Sequence, residues 1–544
     1  MEEKRYNMLL GAVRAYSAQL AIYLKANQLY YLEDSVNMEK SPEQVLKTVF
    51  GYDSFRPMQR EVIQNVLDGR DTLAVMPTGG GKSLCYQIPA LLLPGMTVVV
   101  SPLIALMHDQ ISQLEAYGVP AAVINSSLDW DTYRETRDRI RQGKVKLMYV
   151  SPEGLSTQRT QDLLHSEGLN IDCITIDEAH CVSEWGHDFR PDYLEIASIR
   201  EQFPGAVCLA LTATATKPVQ QDIIRQLRME NPQLLVSSFN RPNLYVEVRR
   251  KENAFLQTRD FILEHPDQSG IVYCFSRRQV DELTQALIDS GINAINYHAG
   301  LSDETRAKNQ NAFIKDKVNV IVATLAFGMG INKPDVRYVI HYNMPKSIEQ
   351  YYQEIGRAGR DGLPGEALLL YSGSDAHKIR YFFNEKENPD NAERLLQGMI
   401  AYCTSTTCRR HFLMAYFGEY YNPLSPDAVE ASCCCDICSN PRKITKPEPK
   451  CIAKKKTAKK HKTDKGAFIQ DDEEGQRIAQ ELRLWRRKTA DEMNVPPYVI
   501  FGDKTLFDIA SRKPHSTKEL LDCNGIGENK ARSFGESILR IVRG

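Results

Sequence analysis

The chain has 544 residues, of which 42% are hydrophobic and 25% are charged, and this excludes both a single small core and disorder throughout. Its formal net charge of −1 excludes nucleic-acid binding by overall charge, so such binding would depend on local basic patches. No apolar run is long enough to span a bilayer, and Arg14 within the N-terminal apolar run favours an amphipathic helix over a signal peptide.

Buried β-branched runs that alternate with helical stretches predict two tandem α/β lobes with parallel sheets. A helical extension over residues 1–40 precedes them. In the first lobe, residues 41–245, strands are predicted over residues 72–76, 97–101, 147–151, 174–177 and 208–212. In the second lobe, residues 246–374, strands are predicted over residues 270–274, 319–324, 338–341 and 367–371.

Three further regions follow the lobes along the chain. Residues 375–440 have helical patterns and a dense group of cysteines, which indicates a small helical metal-binding subdomain. Residues 441–470 are rich in Lys and Pro, which predicts a flexible basic linker that is either merely solvated or attracts phosphates in a salt-sensitive way. Residues 471–544 regain helical periodicity and predict a small all-helical domain.

A glycine-rich segment after the first predicted strand indicates a phosphate-binding loop ahead of a helix that begins near Leu84. Its glycines let backbone N–H groups surround phosphates, and the helix N-terminus adds positive potential. Lys82 is expected to reach the β- and γ-phosphates, and the Ser83 hydroxyl is expected to bind Mg²⁺. Met76 stands where the general pattern has glycine, so the match is to the Gly-Lys-Ser core. The residues predicted to hold ATP here are Thr78, Gly79, Gly80, Gly81, Lys82 and Ser83.

Two acids and two arginines supply the other groups that phosphoryl transfer requires. Asp177 and Glu178 end a predicted strand, so they lie at the carboxyl edge where parallel sheets bind ligands. We expect Asp177 to hold Mg²⁺ and Glu178 to orient or deprotonate the attacking water. In the second lobe, Arg357 and Arg360 lie one helical turn apart. Arg360 is the candidate arginine finger, a group that contributes about 10³–10⁵ in rate, and Arg357 is expected beside it on the phosphates.

These motifs, in this order, resemble those of superfamily 2 helicases, with a DEAH-type acidic motif, and in detail they resemble the RecQ family. The segment from Phe50 to Gln59 resembles the family's adenine-recognition motif, which implies that Gln59 binds the adenine edge with Arg56 nearby. Segments that begin at Ser101, Ala210 and Ala323 resemble motifs Ia, III and V. The resemblance implies two RecA-like lobes, a zinc subdomain and a C-terminal helical domain.

The segment from His180 to Pro191 is similar to the aromatic-rich loop of RecQ enzymes. It places an indole, an imidazole, a phenyl ring and a guanidinium directly after the two acids. Aromatic rings stack on bases for about 1–3 kcal/mol each, without sequence preference. The residues expected to bind DNA and couple it to hydrolysis are Trp185, His187, Phe189 and Arg190, together with Thr212 of the segment similar to motif III.

The 13 cysteines are odd in number and mostly scattered, which indicates a reducing compartment, but those between Cys403 and Cys438 are close together. Cys408 opens a predicted helix, and Cys435 and Cys438 form a Cys-x-x-Cys pair, which suits a tetrahedral structural Zn²⁺ site. The group resembles the RecQ zinc subdomain, in which four cysteines bind the metal and the arginines after the first often face DNA.

The third zinc ligand is the open point of this assignment. Ser432 stands where a bacterial-type spacing has a cysteine, so Cys433 or Cys434 must serve. Cys433 is favoured, because adjacent Cys434 and Cys435 would have to bend sharply to share one ion. Cys403 is a spare candidate. The predicted zinc ligands are therefore Cys408, Cys433, Cys435 and Cys438.

The C-terminal third departs from the commonest RecQ pattern. The family usually has a winged-helix domain after the zinc subdomain, whereas here the lysine-rich residues follow at once, which puts the power to open duplexes in doubt. The tail resembles the helical HRDC domain. Its Gly525-Ile-Gly527 turn, ahead of Lys530 and Arg532, either holds a DNA phosphate on backbone N–H groups or belongs to a protein-interaction bundle.

These residues predict an ATP- and Mg²⁺-dependent DNA helicase with structural zinc, which by resemblance moves 3′ to 5′ in DNA repair and recombination. The alternatives are a translocase or annealing factor that separates duplexes weakly, and a nucleic-acid-binding scaffold with a vestigial motor. The expected partners are single-stranded and tailed or forked duplex DNA, with single-strand-binding protein or other repair factors and no membrane. The expected location is the cytoplasm, at the nucleoid, in a bacterium and the nucleus in a eukaryote.

Overall fold

The computed structural model describes most of the chain, namely residues 41–102, 104–125, 128–186, 188–324, 327, 333–381, 383, 389–422, 434–439, 472–493 and 495–544. The predicted N-terminal extension and basic linker lie outside these residues. Within the described ranges, no helix combines the length and the apolar character that crossing a bilayer requires.

The first lobe is a parallel sheet covered by helices on both faces. Its strands are β1 (Thr72–Val75), β2 (Met96–Val100), β3 (Ala121–Ile124), β4 (Leu147–Val150), β5 (Ile171–Ile176), β6 (Val207–Thr212) and β7 (Gln233–Val236). They form one seven-stranded sheet in the order β3-β4-β2-β5-β6-β1-β7. Strands β1, β2, β4 and β6 are buried along their whole length, as expected for parallel strands covered on both faces.

Helices and short turns connect these strands. The helices are α1 (Pro42–Thr48), α2 (Gln59–Leu67), α3 (Leu84–Leu92), α4 (Ile104–Ala116), α5 (Trp130–Arg141), α6 (Pro152–Leu155), α7 (Gln158–Leu164), α8 (Ile196–Arg200) and α9 (Lys217–Gln226), with 3-10 helices at Ala179–Val182 and Pro191–Glu195. Ser41, Asp129 and Ser151 accept hydrogen bonds from first-turn N–H groups, which would otherwise lack partners, and so fix three helix starts.

The second lobe repeats the parallel α/β plan. Its strands are β8 (Leu244–Arg250), β9 (Ser269–Tyr273), β10 (Ala294–Tyr297), β11 (Val320–Ala323), β12 (Val336–His341) and β13 (Gly365–Tyr371). Their order is β10-β11-β9-β12-β13-β8. Its helices are α10 (Ala254–Leu263), α11 (Arg277–Asp289), α12 (Asp303–Ile314) and α13 (Ile348–Ile355). The predicted fold class, two parallel-sheet lobes followed by helical domains, is confirmed.

In the part of the chain that the structure describes, the elements after the second lobe are helices. They are α14 (Gly373–Tyr381), α15 (Pro389–Thr404), α16 (Arg409–Tyr416) and α17 (Asp436–Ser439), then α18 (Glu473–Glu492), α19 (Pro497–Ile500), α20 (Asp503–Arg512), α21 (Thr517–Leu521) and α22 (Glu528–Arg543). Helices α18 to α22, here called the C-terminal bundle, have their own apolar core. Helices α15 and α16 share one apolar cluster with both lobes.

The interlobe linker, residues 237–243, is held by the second lobe and by α16. Phe239 is buried, and its ring stacks on Phe417 with a centroid separation of 4.4 Å. The Tyr352 hydroxyl donates to the Phe239 carbonyl at 2.6 Å, and the Phe239 N–H donates to Glu419 at 2.7 Å. These contacts attach the linker to the second lobe and to the segment that follows α16.

Candidate nucleotide and nucleic-acid site

The phosphate loop, residues 76–83, connects β1 to α3. Gly79 and Gly81 have φ angles of +82° and +80°, which glycine adopts without strain. Lys82 donates from Nζ to the Met76 carbonyl at 3.3 Å, so it lies across the loop. Ser83 stands at the N-terminus of α3, where the helix dipole favours anions. The loop therefore has the backbone shape that phosphate binding requires.

Gln59 and Arg56 contact this loop from α2 and the segment before it. Gln59 is 1% exposed, and its amide donates to the Gly81 carbonyl at 2.9 Å. The Gln59 side-chain oxygen accepts from the Arg56 N–H at 2.7 Å, and the Arg56 guanidinium donates to the Gly79 carbonyl. Both predicted adenine-site residues thus lie against the phosphate loop, and their role towards a base stays a prediction.

The two acids lie at the carboxyl end of β5, as predicted. Burial, followed by the charge of Glu178, raises the pKa of Asp177 to about 7, so a cation beside this carboxylate would favour its charged form. Glu178 adopts φ +49°, and its Oε2 is buried without a hydrogen-bond partner among the described residues, although His180 Nδ1 lies 3.4 Å away. Two crowded carboxylates next to Ser83 and Lys82 are the donor set that suits Mg²⁺.

A chain of polar contacts links these acids to the second lobe. The His180 Nδ1 lies 3.4 Å from Glu178 Oε2 and 2.9 Å from the Thr212 hydroxyl. The Gln353 amide lies 3.5 Å from His180 Nε2 and donates to the Thr214 hydroxyl at 3.3 Å. The sequence analysis assigned a role to Thr212 and none to His180 or Gln353, although His180 begins the aromatic-rich loop and Gln353 lies four residues before Arg357.

The arginine segment, residues 353–360, faces the phosphate loop across the interlobe cleft. A Cβ on Gly79 would lie 3.4 Å from the Arg360 Cα. Burial, followed by the neighbouring Arg357 and Arg241, lowers the pKa of Arg360 to about 9. This crowding of buried cations would be relieved by a polyanion. The predicted finger arginines thus lie opposite the predicted magnesium acids.

One cavity of about 500 Å³ brings these groups together. Its lining includes Lys82, Ser83, Asp177 and Glu178 of the first lobe, Arg357 and Arg360 of the second, and Tyr498, Lys504 and Lys530 of the C-terminal bundle. Such a volume accommodates a nucleotide-sized ligand. The bundle residues are an addition that no sequence pattern indicated.

Of the predicted DNA-contacting residues, Trp185 is the most accessible. Its side chain is 51% exposed, and Phe189 and Arg190 are partly buried. Arg190 donates to the Pro102 carbonyl at 3.2 Å, which ties the aromatic loop to the segment similar to motif Ia. His187 lies outside the described residues. The loop thus presents a large ring to solvent a few residues from Glu178.

A cysteine cluster lies beyond the second lobe. It consists of Cys408, Cys434, Cys435 and Cys438, whose Sγ atoms all lie within 4.8 Å of one another. The Sγ of Cys408 lies 3.8 Å from those of Cys434 and Cys435. Tetrahedral thiolates at about 2.3 Å from Zn²⁺ are about 3.8 Å apart, so the cluster fits the metal.

The cluster bears on the identity of the third zinc ligand, which the sequence left undecided. Adjacent Cys434 and Cys435 both face Cys408, so the bend that argued against Cys434 is made in this structure. Cys433 lies outside the described residues, and its assignment stays a prediction. The segment also attaches to the second lobe, since the Val246 N–H of β8 donates to the Cys434 carbonyl at 3.2 Å.

Comparisons with known proteins match four regions of the chain. Family models match as DEAD/DEAH box helicase over residues 56–223, helicase conserved C-terminal domain over 253–362, RecQ zinc-binding over 373–439 and HRDC domain over 475–542. The ATP-dependent DNA helicase RecQ of Haemophilus influenzae is 36% identical, over 92% of this chain and 95% of its own. The chain belongs to the RecQ family of ATP-dependent DNA helicases.

A second RecQ relative supports the same conclusion, and a solved structure shares the fold of the two lobes. The ATP-dependent DNA helicase RecQ of Bacillus subtilis is 34% identical, over 92% of this chain and 98% of its own. The structure of S. cerevisiae Dbp5 bound to RNA and ADP BeF3 has a TM-score of 0.50 and 16% identity, and covers 64% of this chain and 94% of that one. This last likeness concerns the fold alone.

One feature of this RecQ chain differs from what the family resemblance implied. Arg409 and Arg410, expected to face DNA, are 5% and 4% exposed. Arg409 pairs with Asp436 at 3.1 Å, and Arg410 donates to the Leu244 carbonyl at 2.9 Å. Both guanidiniums are therefore structural, because they hold the zinc segment and strand β8 together.

The glycine turn of the HRDC-like bundle had two alternative interpretations from the sequence. The Gly525 N–H donates to the Gly51 carbonyl of the first lobe at 3.0 Å, and Asn529 donates to the Tyr117 carbonyl at 3.3 Å. The Lys530 ammonium lies 5.4 Å from the centre of the Tyr117 ring, and burial lowers its pKa. The turn packs against the motor here, which favours the protein-contact alternative over phosphate binding.

Proposed function

We propose that this RecQ-family chain couples Mg²⁺-dependent ATP hydrolysis to 3′–5′ movement along single-stranded DNA and separates duplexes in repair and recombination. The observation that carries this proposal is the single cavity lined by acids of one lobe and arginines of the other. A site divided between two lobes is completed only when they close, so each hydrolysis event is tied to a relative movement of the lobes. The proposed partners include single-strand-binding protein and other repair factors, at the nucleoid or in the nucleus.

The residues of the cavity divide the work of phosphoryl transfer between them. Lys82 and the phosphate loop would hold the β- and γ-phosphates, and Asp177 and Ser83 would hold Mg²⁺, which would neutralise charge on the phosphates. Glu178, whose Oε2 lies 3.4 Å from His180 Nδ1, would orient the attacking water. Arg360 would approach from the second lobe and stabilise charge that develops on the γ-phosphate.

DNA binding would reach this chemistry through the aromatic loop. The loop begins at His180, which contacts both Glu178 and Thr212, and it exposes Trp185 a few residues later. A base stacked on Trp185 would shift the loop, and the shift would reach Glu178 through His180. The same histidine meets Gln353, so the second lobe would respond as well.

The experiment that tests the proposal is ATP-dependent strand release from duplexes with a 3′ tail, a 5′ tail or no tail. Release of the 3′-tailed duplex alone, lost in Lys82→Ala, is the expected result. Release from the 5′ tail would overturn the polarity. Single-strand-stimulated ATP hydrolysis without strand release would favour the second candidate, a translocase or annealing factor. This candidate is motivated by the lysine-rich residues, which directly follow the zinc segment where the family usually has a winged-helix domain. Absence of any ATP hydrolysis would favour a scaffold.

Trp185→Ala is expected to raise the concentration of single-stranded DNA needed for half-maximal ATPase stimulation by about 5- to 150-fold, which corresponds to one stacked base of 1–3 kcal/mol. Trp130 provides a matched control, because it is 59% exposed on the same lobe but lies on α5, outside the segments with family motifs. Trp130→Ala should leave the DNA dependence unaltered. Equal effects of the two substitutions would remove Trp185 from the DNA path.

A further inference from the structure

One side chain of the interlobe linker, Arg241, contacts both halves of the nucleotide site. Its Nη1 donates to the Thr78 carbonyl of the phosphate loop at 2.7 Å. Its Nη2 donates to the carbonyls of Ala358 and Gly359, in the arginine segment, at 3.0 and 2.9 Å. One guanidinium thus joins the phosphate loop to the segment that carries the finger arginines.

The backbone at this junction leaves little room for another arrangement. A Cβ on Gly356 would lie 2.9 Å from the Thr78 Cβ, so the two loops touch there. Arg241 is not among the described residues that line the cavity. It therefore acts behind the loops, on their carbonyls, where a forked cation with several donors and no acceptor is suited to bridge them.

The two ends of this bridge differ in how firmly they are held. On the side of the second lobe, Asn243 also donates to the Gly359 carbonyl, at 2.9 Å, and to the Leu363 carbonyl, at 2.8 Å. The linker itself packs on Tyr352 and Phe417. On the side of the first lobe, the guanidinium reaches the phosphate loop through the Thr78 carbonyl. When the lobes separate, the contact with Thr78 is therefore the one that breaks.

We propose that Arg241 is a positioning residue that latches the arginine segment onto the phosphate loop, and so places Arg360 for hydrolysis each time the lobes close. This inference rests on the proposed function, because it presupposes ATP turnover between the lobes. Arg241 would stabilise the closed arrangement of the two lobes, whereas Lys82 and the acids would contact the nucleotide.

The test compares Arg241→Gln and Arg241→Lys with Asn243→Ala, which removes a contact with the same Gly359 carbonyl but none with the first lobe. We expect Arg241→Gln to lower kcat on the order of 10²-fold, the size of effect that a misplacement of about 1 Å produces, with little change in KM for ATP. Arg241→Lys should remain impaired, because a single ammonium cannot bridge both loops.

Closure is measured directly as energy transfer between dyes on exposed positions of the two lobes, Glu167 and Asp289, upon addition of a non-hydrolysable ATP analogue with single-stranded DNA. The analogue should close the wild type and Asn243→Ala but not Arg241→Gln. Full kcat in Arg241→Gln, or equal loss of closure in Asn243→Ala, would overturn the inference. Absence of ATP turnover in the wild type would instead overturn the proposed function.

Discussion

Lys82→Ala is expected to lower DNA-stimulated ATP turnover by on the order of 10³-fold, as removal of a cation that stabilises a phosphoryl-transfer transition state does. The reason is its position, because the ammonium lies across the phosphate loop and lines the cavity together with Asp177 and Arg360. Steady-state phosphate release measures the loss. DNA binding, followed by fluorescence anisotropy, should persist, since the aromatic loop is unaltered.

Lys144 is a suitable control for this substitution, because it is an exposed lysine of the same lobe. Lys144→Ala should hydrolyse ATP like the wild type. Robust hydrolysis by Lys82→Ala would show that the phosphate loop is not the nucleotide site. Loss of DNA binding along with turnover would indicate that the substitution disturbs the lobe as a whole.

Cys435→Ser is expected to remove bound zinc and to destabilise the second lobe. Structural zinc sites contribute about 10–16 kcal/mol of binding free energy in small zinc domains, so loss of one thiolate has a large effect. Cys435 is 0% exposed and forms a β-bridge with Val246 of strand β8. Metal analysis and thermal denaturation measure the change. Because β8 is a sheet edge, we expect the zinc-free protein to aggregate on heating.

Three other serine substitutions complete this experiment. Cys403→Ser is the control, since this thiol is buried nearby but lies outside the cluster. Cys433→Ser and Cys434→Ser identify the third ligand, because the zinc content of the protein should fall only when the residue that binds zinc is replaced. Full zinc content in Cys435→Ser would contradict the site altogether.

The strands that the sequence predicted differ from those that it missed in their position within the sheets. Every predicted strand lies in a sheet interior, whereas the four missed strands, β3, β7, β8 and β10, are the four sheet edges. Interior parallel strands are buried on both faces and form continuous apolar runs. Strands β8 and β10 contain charged or amide residues, which interrupt the apolar pattern. Strands β3 and β7 are short and largely apolar, and nothing in the structure explains why they were missed.

The chemistry of the site was more predictable than its surroundings. Lys82, Asp177 and Arg360 belong to local motifs whose spacing reflects the geometry of phosphates, so the sequence alone brought them into one hypothesis. Arg241 acts through carbonyl groups that any residue provides, and no motif marks such partners. The burial of Arg409 and Arg410 depends likewise on Asp436 and Leu244, which are distant in sequence.

The attachment of the C-terminal bundle bears on which parts of the chain move together. Its contacts with the first lobe are close, since a Cβ on Gly51 would lie 2.6 Å from the Gly527 nitrogen. The bundle also meets the second lobe, through the half-exposed ion pair Lys317–Asp491 at 3.9 Å and through Tyr498, which lines the cavity together with Arg360. We therefore expect the bundle, which contacts both lobes, to move with the first lobe only if its contacts with the second lobe break in each cycle.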